Sequence, residues 1–371
     1  MILKFIKLKN FRLHIDTKID FSKNINYIIG GNGQGKTSLL EAIYYLCTTK
    51  NMNQVSDIEA LNFTENYFEI VGEFSSYSNN KIRVFFDRNT NKKTIFINDK
   101  QVNKNSSVIG KFPVVALLQS DHAITQGSPA ERRRFVDSII SQSSATYLKF
   151  LLDYNRILRH RSSLLSKLKE FNSKELYDQL DVWTYSLVKT GTEIIKHRKE
   201  FIETFNNYIL KPYENILGTK EIPKIIYKPF EYTDTDDIKN IFMETIKKKE
   251  KEELKRARNL VGPHRDDFQF FINDLSLKKY GSQGQHKTFQ IALRFSQFFY
   301  LLDKLNETPV FLMDDVFGEL DLFRVEKISN YLNKIGQAFI TLTDFSNIEK
   351  LNIAQNNNLL LKIKNGKVVN A

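Results

Sequence analysis

The sequence predicts an α/β fold, a mixed sheet plus antiparallel strands, with an inserted, mainly helical lobe. Three observations carry this. A glycine-rich loop separates a hydrophobic strand from a helix within residues 25–46, the hydrophobic period turns from strand-like to helical near Ser128, and strand signals return after residue 259. The expected organisation is a discontinuous lobe of residues 1–130 and 259–371, with residues 131–258 forming a helical lobe that bears a short antiparallel arm.

Composition narrows the function. The 371 residues carry 55 Lys and Arg against 43 Asp and Glu, a formal charge of +12, while charged residues overall stay at 26% and hydrophobic ones at 41%. That balance belongs to a folded basic protein rather than a disordered one. A basic excess favours polyanionic partners, nucleic acid first, because neutralised phosphates release counterions. The excess lies in the first two thirds: 16 basic against 11 acidic residues in 1–130, 26 against 20 in 131–258, and 13 against 12 in 259–371. A single cysteine, Cys47, excludes a disulfide framework and Cys-based metal clusters, and reads as a buried thiol in a reducing compartment. The opening MILKFIKLKNF lacks a secretory pattern, and no apolar stretch approaches the roughly 18 residues of a membrane span. The expectation is a cytoplasmic protein with no membrane partner.

Along the chain, short strands are expected at Ile2–Leu8, Ile25–Ile29, Tyr67–Phe74, Ile82–Phe86, Thr94–Ile97 and Val114–Leu118, with a turn at Asn98-Asp99-Lys100 and one helix from Lys36 to about Leu46. Pro129 suits a first helical turn. Apolar residues then recur at spacings of three and four from Leu148 to Leu165 and from Leu176 to Phe205, two helices bridged near Asn172-Ser173, the second ending before Pro212. Residues 221–240 look irregular, and Lys247–Arg258 reads as a solvated helix with i,i+4 ion pairs. Strands return at Phe268–Ile272, Val310–Met313, Ala338–Leu342 and Leu359–Ile363.

The sharpest motif is Gly30-Gly31-Asn32-Gly33-Gln34-Gly35-Lys36-Thr37-Ser38, which satisfies GxxxxGK[ST] between a strand and a helix. Its glycines let successive N–H groups face a phosphate, and the helix N-terminus adds a positive end. Lys36 is expected to bridge the β- and γ-phosphates of ATP, and the Thr37 hydroxyl to ligate Mg²⁺. Such a loop needs a carboxylate from a second strand. Val310–Met313 followed by Asp314 and Asp315 supplies it, with Asp314 on the metal side and Asp315 placed to orient or deprotonate a water. Tyr280-Gly281-Ser282-Gln283-Gly284-Gln285 heads a further helix, where serine and small residues make a second anion site.

In order, GGNGQGKTS, SQGQ, VFLMDD and GELD resemble the ATP-binding-cassette (ABC) ATPases, so the α/β fold is expected to be an ABC-type P-loop ATPase head. The resemblance implies that each nucleotide is sandwiched between one subunit's phosphate loop and its partner's signature, with Ser282, Gly284 and Gln285 acting in trans. The motifs NFR (10–12), KTSLLEAI (36–43), GSPAERRRFVD (127–137), GPHRDD (262–267), GSQGQ (281–285) and DDVFGELD (314–321) look like the RecF family of bacterial DNA replication and repair proteins. That resemblance implies an ATPase that forms an ATP-dependent homodimer, binds double-stranded and gapped DNA, and works with RecO and RecR to load recombinase. There are departures from the family pattern. Gln119 either takes the Mg²⁺- and water-contacting place of related ATPases or is a strand-end glutamine without a role, and Thr341-Leu342-Thr343-Asp344 lacks the histidine of transporter-type cassettes, a lost γ-phosphate contact that predicts slow hydrolysis. A transporter subunit is disfavoured by the large basic insertion, and an SMC-type protein by the short arm. Arg156, Arg159 and Arg161, with Arg132 and Arg133 at the lobe entrance, are the candidates for DNA phosphates. They serve equally as a solvated helix face, and Arg133 or Arg134 as partners of Glu131 or Asp137. For GPHRDD the expectation is a cap, with Asp266 or Asp267 accepting backbone N–H bonds.

Overall fold

The computed structural model describes residues 1–371 apart from 54, 172, 218–220, 232–236, 333, 344–356 and 370–371, and apart from the side chains at 217, 319 and 322. The chain divides into two compact units, one of residues 1–121, 211–219 and 290–371, the other of residues 122–210 and 220–289.

The first unit opens with alternation. In β1 (Ile2–Phe11), Leu3, Ile6 and Leu8 are buried while Lys4 and Lys7 face solvent, as a half-buried strand requires. It joins β2 (His14–Asp20) in an antiparallel hairpin, and β3 (Ile25–Ile29) leads to α1 (Lys36–Thr48). Then follow β4 (Tyr67–Ser75), β5 (Asn79–Asp87), β6 (Lys92–Ile97), β7 (Lys100–Gln101) and β8 (Val114–Leu118). One sheet has the order β2-β1-β4-β5-β6-β7. Sequence reasoning passes over β2 because its buried face carries His14, Thr17 and Ile19 while Ile15 is exposed. Asn98 and Asp99 both take left-handed backbone angles, which suits the tight turn between β6 and β7.

The second unit is built from α2 (His122–Gln126), α3 (Pro129–Ser143), α4 (Ala145–Glu170), α5 (Lys174–Leu217, its last residues belonging to the first unit), β9 (Pro223–Lys228), α6 (Ile238–Arg256), β10 (Asp267–Ile272), β11 (Leu275–Ser276) and α7 (Leu277–Tyr280). Pro129 occupies the first turn of α3, and Ser144 starts α4 afresh by accepting the Tyr147 N–H at 3.1 Å. The expected end of α5 before Pro212 is incorrect: the helix continues to Leu217. Proline removes one intrahelical bond, but Ile209, Tyr213 and Ile216 on both sides of it are buried and hold the helix. The stretch 221–240 is not irregular throughout, since β9 pairs antiparallel with β10. The strand at 268–272, expected in the nucleotide-binding lobe, therefore lies in a three-stranded sheet of the second unit. Asn206 of α5 clamps β9 by donating to the Ile225 carbonyl at 2.9 Å and accepting its N–H at 2.8 Å. The arm packs Leu164, Leu165 and Leu168 of α4 on Leu180 of α5.

After α8 (Gln283–Leu305) come β12 (Val310–Asp314), α9 (Leu322–Leu332), β13 (Ala338–Leu342), β14 (Leu359–Lys364) and β15 (Lys367–Val369). They complete the second sheet of the first unit, order β15-β14-β3-β13-β12-β8, parallel except for the terminal hairpin. Leu342 pairs with Ile29, Thr341 with both Ile28 and Asp314, and Asp314 with Leu118, so the strand ends form one row. Helix α1 is buried nearly all round in an apolar cluster that draws on both sheets. Cys47 sits in that cluster, and burial pushes its thiol well above the usual range. Among the described residues no helix is long and apolar enough to cross a membrane.

Candidate functional site

The row of strand ends gathers the polar motifs. Strand β3 stops at Ile29 and the chain turns through Gly33 (φ 72°) and Gly35 (φ 102°), angles that glycine takes without steric cost. Gly35 caps α1, so Lys36, Thr37 and Ser38 form its first turn. Gly31, Asn32 and Gly33 are exposed, leaving the loop open to solvent. The rest is braced. A side chain at Gly30 would meet the Ile363 carbonyl at 2.5 Å, and Gln34 accepts the Asn365 N–H on its side chain at 2.8 Å and the Gly366 N–H on its carbonyl at 2.9 Å. The Gln34 side chain thus anchors the loop to the β14–β15 turn. His14 lies within 3.1 Å of the Gly35 carbonyl through Nε2, and burial holds its imidazole below the usual range.

Lys36 is buried and folds back, its Nζ donating to the carbonyls of Gly30 at 2.6 Å and Gly31 at 2.9 Å. Burial lowers its pKa against the pull of Asp315 and Asp314. Thr37 Oγ1 donates to both carboxylate oxygens of Asp314 at 3.0 Å. Burial pushes Asp314 above the ordinary carboxylate range, resisted by hydrogen bonds from Thr341 and Thr37, with Asp315 adding to the rise. Asp315 has a left-handed backbone (φ 49°) and receives the Gln119 Nε2–H on its carbonyl at 3.3 Å. Gln119 is thereby brought to the acid pair from the end of β8. Its neighbour Asp121 is buried and paired bidentately with Arg294 at 2.6 and 2.8 Å. Sequence reasoning missed Thr341, which bonds both acids. Its signal is a threonine inside the otherwise apolar strand AFITL.

In the second unit, Ser282 Oγ accepts the Gln285 N–H at 3.2 Å while the Gln285 side chain accepts the Ser282 N–H at 2.9 Å. This is a reciprocal capping box at the start of α8. Gly284 falls in the same first turn, and Gln285 also donates to Glu221 at 3.0 Å. Ser282 stays exposed, and its hydroxyl hydrogen is not used by the cap.

Three of the arginines expected at DNA are otherwise engaged. Arg132 is buried and bidentate to Asp267 at 2.7 and 3.1 Å. Arg161 is buried and donates to Thr184 at 2.9 Å and to Asn259 and Glu253 at 2.6 Å. Arg133 is half-buried and donates to the Asp266 carbonyl at 2.6 Å. Burying a guanidinium demands acceptors within the fold, which ties up the donors of Arg132 and Arg161, whereas Arg133 commits a single N–H. Arg156 and Arg159 are exposed, Arg156 lying 3.5 Å from Asp153. The GSPAERRR and GPHRDD motifs turn out to bond each other. Asp266 accepts from Arg198 at 3.0 Å, from the Phe230 N–H at 2.8 Å and from the Tyr227 hydroxyl, and Asp267 accepts its Phe268 N–H at 2.8 Å. Arg198 also holds Asp137 at 2.9 Å. A cavity of about 670 Å³, unforeseen in the sequence, is lined by Lys249, Arg256, Arg258 and Arg265 with Glu231.

A parallel sheet that places a phosphate loop and an acid pair at strand ends one strand apart has the arrangement of a P-loop ATPase head. An Smc head bound to the C-winged helix domain of ScpA shares the fold, with a TM-score of 0.58 at 14% identity. The RecF/RecN/SMC N terminal domain model matches residues 2–356, and the chain belongs to this family, within it to the RecF proteins. It is 42% identical over 365 residues to the DNA replication and repair protein RecF of Chloroherpeton thalassium, spanning 94% of this chain and 98% of that one. The RecF of Prosthecochloris aestuarii is 37% identical, spanning 98% and 99%. A solved structure of the recombination mediator protein RecF-ATPrS in the RecFOR pathway has a TM-score of 0.89 at 32% identity, covering 99% of this chain and 97% of that one.

Proposed function

We propose that the chain is a slow Mg²⁺-dependent ATPase of recombinational DNA repair and replication restart, which dimerises on ATP and binds double-stranded or gapped DNA to help recombinase loading with RecO and RecR. The observation that carries it is the meeting of Thr37 and Asp314 beside the folded-back Lys36. An all-oxygen pair 3.0 Å apart fits a hard cation. Among the described residues no group of three or more His, Cys, Asp or Glu gathers to hold a metal alone, so Mg²⁺ would share its shell with phosphate and water. When bound, it would neutralise charge on the β- and γ-phosphates. Lys36 exchanges the Gly30 and Gly31 carbonyls for phosphate oxygens, and the loop N–H groups orient the chain of phosphates. Asp315 makes no hydrogen bond or ion pair through its carboxylate among the described residues, so it is available to receive the proton of an attacking water. Gln119 positions that water. The exposed Ser282 donates its spare hydrogen to the γ-phosphate held by a second copy, with Gly284 and Gln285 completing the turn.

For DNA, the exposed Arg159 supplies positive charge with no ion pair among the described residues, joined by Arg156 beside Asp153 and by the cavity of Arg256, Arg258 and Arg265, where Arg256 pairs with Glu252 and Arg265 donates to the Asn259 carbonyl; the buried Arg132 and Arg161 are committed to the fold. Recombinational repair and the RecO and RecR partners rest on the named relatives and on the family resemblance. Sedimentation with and without Mg-ATP and a gapped duplex tests the reading. Lys36→Ala should abolish ATP-dependent dimerisation, and Asp315→Asn should trap the dimer and lower turnover by roughly 100-fold. Dimers that form equally well without nucleotide would contradict it.

A further inference from the structure

We propose that Thr341 is a positioning residue of this site, whose single hydroxyl holds the two adjacent acids in different, fixed directions. Thr341 is fully buried on β13, the strand between β3 and β12, and stands opposite Asp314 in register. Its Oγ1 donates to Asp314 Oδ1 at 2.8 Å and accepts the Asp315 N–H at 2.8 Å. Each bond has a distinct consequence. The first commits one oxygen of Asp314, so that the carboxylate keeps its orientation when Thr37 lets go of it to serve a cation. The second fixes the left-handed backbone of Asp315, an unfavourable conformation for a residue with a side chain, and so sets where its carboxylate projects. A valine of the same shape would fill the core equally well but would leave the Asp315 N–H without a partner.

The inference rests on the reading of Asp315 as the catalytic base, and the experiment separates the two. Turnover, ATP affinity and hydrogen exchange at the Asp315 amide are measured for Thr341→Val, Thr341→Ser and Asp315→Asn. Thr341→Val should lower kcat roughly tenfold, leave the ATP Kd within about twofold, and speed exchange of the Asp315 amide about tenfold. Thr341→Ser, which keeps the hydroxyl, should restore all three. If Thr341→Val turns over like the parent while Asp315→Asn does not, the inference fails and the catalytic reading stands. If Asp315→Asn turns over normally, the catalytic reading fails, and exchange at the Asp315 amide alone decides whether Thr341 holds that backbone. Should Thr341→Val not fold, Thr341→Cys, which retains only a weak hydrogen-bonding group, takes its place with the same outcomes.

Discussion

The strand-end row of the first unit and the ionic cluster of the second are both dense in charge, yet they differ in what remains uncommitted. Around Arg198 the groups are buried or half-buried and satisfied: Asp137, Asp266, Tyr147 and the Pro263 carbonyl take its hydrogens, and Tyr227 and the Phe230 N–H occupy what is left of Asp266. At the strand ends, Lys36 holds only loop carbonyls, Thr37 is exposed, and the Asp315 carboxylate has no bonding partner among the described residues. A recognisable motif, whether GKTS or GPHRDD, does not by itself separate a site from a scaffold. Spare hydrogen-bonding capacity beside solvent does.

The strongest way to break this comparison is to remove one charge from each region. Arg198→Ala leaves the buried Asp266 and the half-buried Asp137 without their cation and should cost about 3–5 kcal/mol in chemical denaturation. Lys36→Ala should abolish nucleotide binding with little loss of stability. A Lys36→Ala variant as unstable as Arg198→Ala would place both in the scaffold.

His264 sharpens the contrast through pH. It lies 2.8 Å from the Tyr154 hydroxyl at Nδ1 and 3.2 Å from the Asn259 carbonyl at Nε2, so the ring is neutral with its hydrogen on Nε2. Burial, with Arg265, Arg133 and Arg161 nearby, holds its pKa down at about 4 against an ordinary 6.5. The unfolded chain then binds more protons inside that window. Stability from this group is present above pH 6.5 and is lost as pH falls toward 4, by roughly 3 kcal/mol in all. Between pH 6.5 and 4 the melting temperature of the parent should fall more steeply than that of His264→Asn; equal slopes would show that the imidazole is not the source of the window.

Asp314 carries the opposite sign. Its raised pKa means that stability from the protonated form is lost as pH rises through the carboxylate range, leaving an ionised, partly buried group as a cost at neutral pH. Asp314→Asn should raise the nucleotide-free melting temperature by about 2 °C while abolishing Mg-ATP turnover. The smallest expected effect is on the surface. Arg159→Ala should leave stability unchanged and reduce the salt dependence of DNA affinity by about one phosphate contact.

How much was legible follows the same division. The phosphate loop, the acid pair and the serine cap are legible because they depend on residue type at fixed local spacing; β8 and β12 could be read from unbroken apolar runs, and β3 and α1 from flanking the glycine loop. The fates of Arg132 and Arg161 could not, since their partners Asp267 and Glu253 lie 135 and 92 residues away. Local sequence shows an arginine on a helix, and only the long-range fold shows whether an acid meets it. Thr341 escaped for the same reason: nothing in AFITL says which strand will lie beside it. β2 and the last turns of α5 escaped because buried polar residues and an internal proline contradict local patterns that tertiary packing overrides.

The account turns on a site shared between two copies, and complementation tests it most directly. Lys36→Ala and Ser282→Arg should each be inactive alone, but when mixed they form mixed pairs in which one intact loop meets one intact cap, giving about a quarter of parental ATP turnover. A mixture as inactive as its components, or full activity in Ser282→Arg alone, would contradict it.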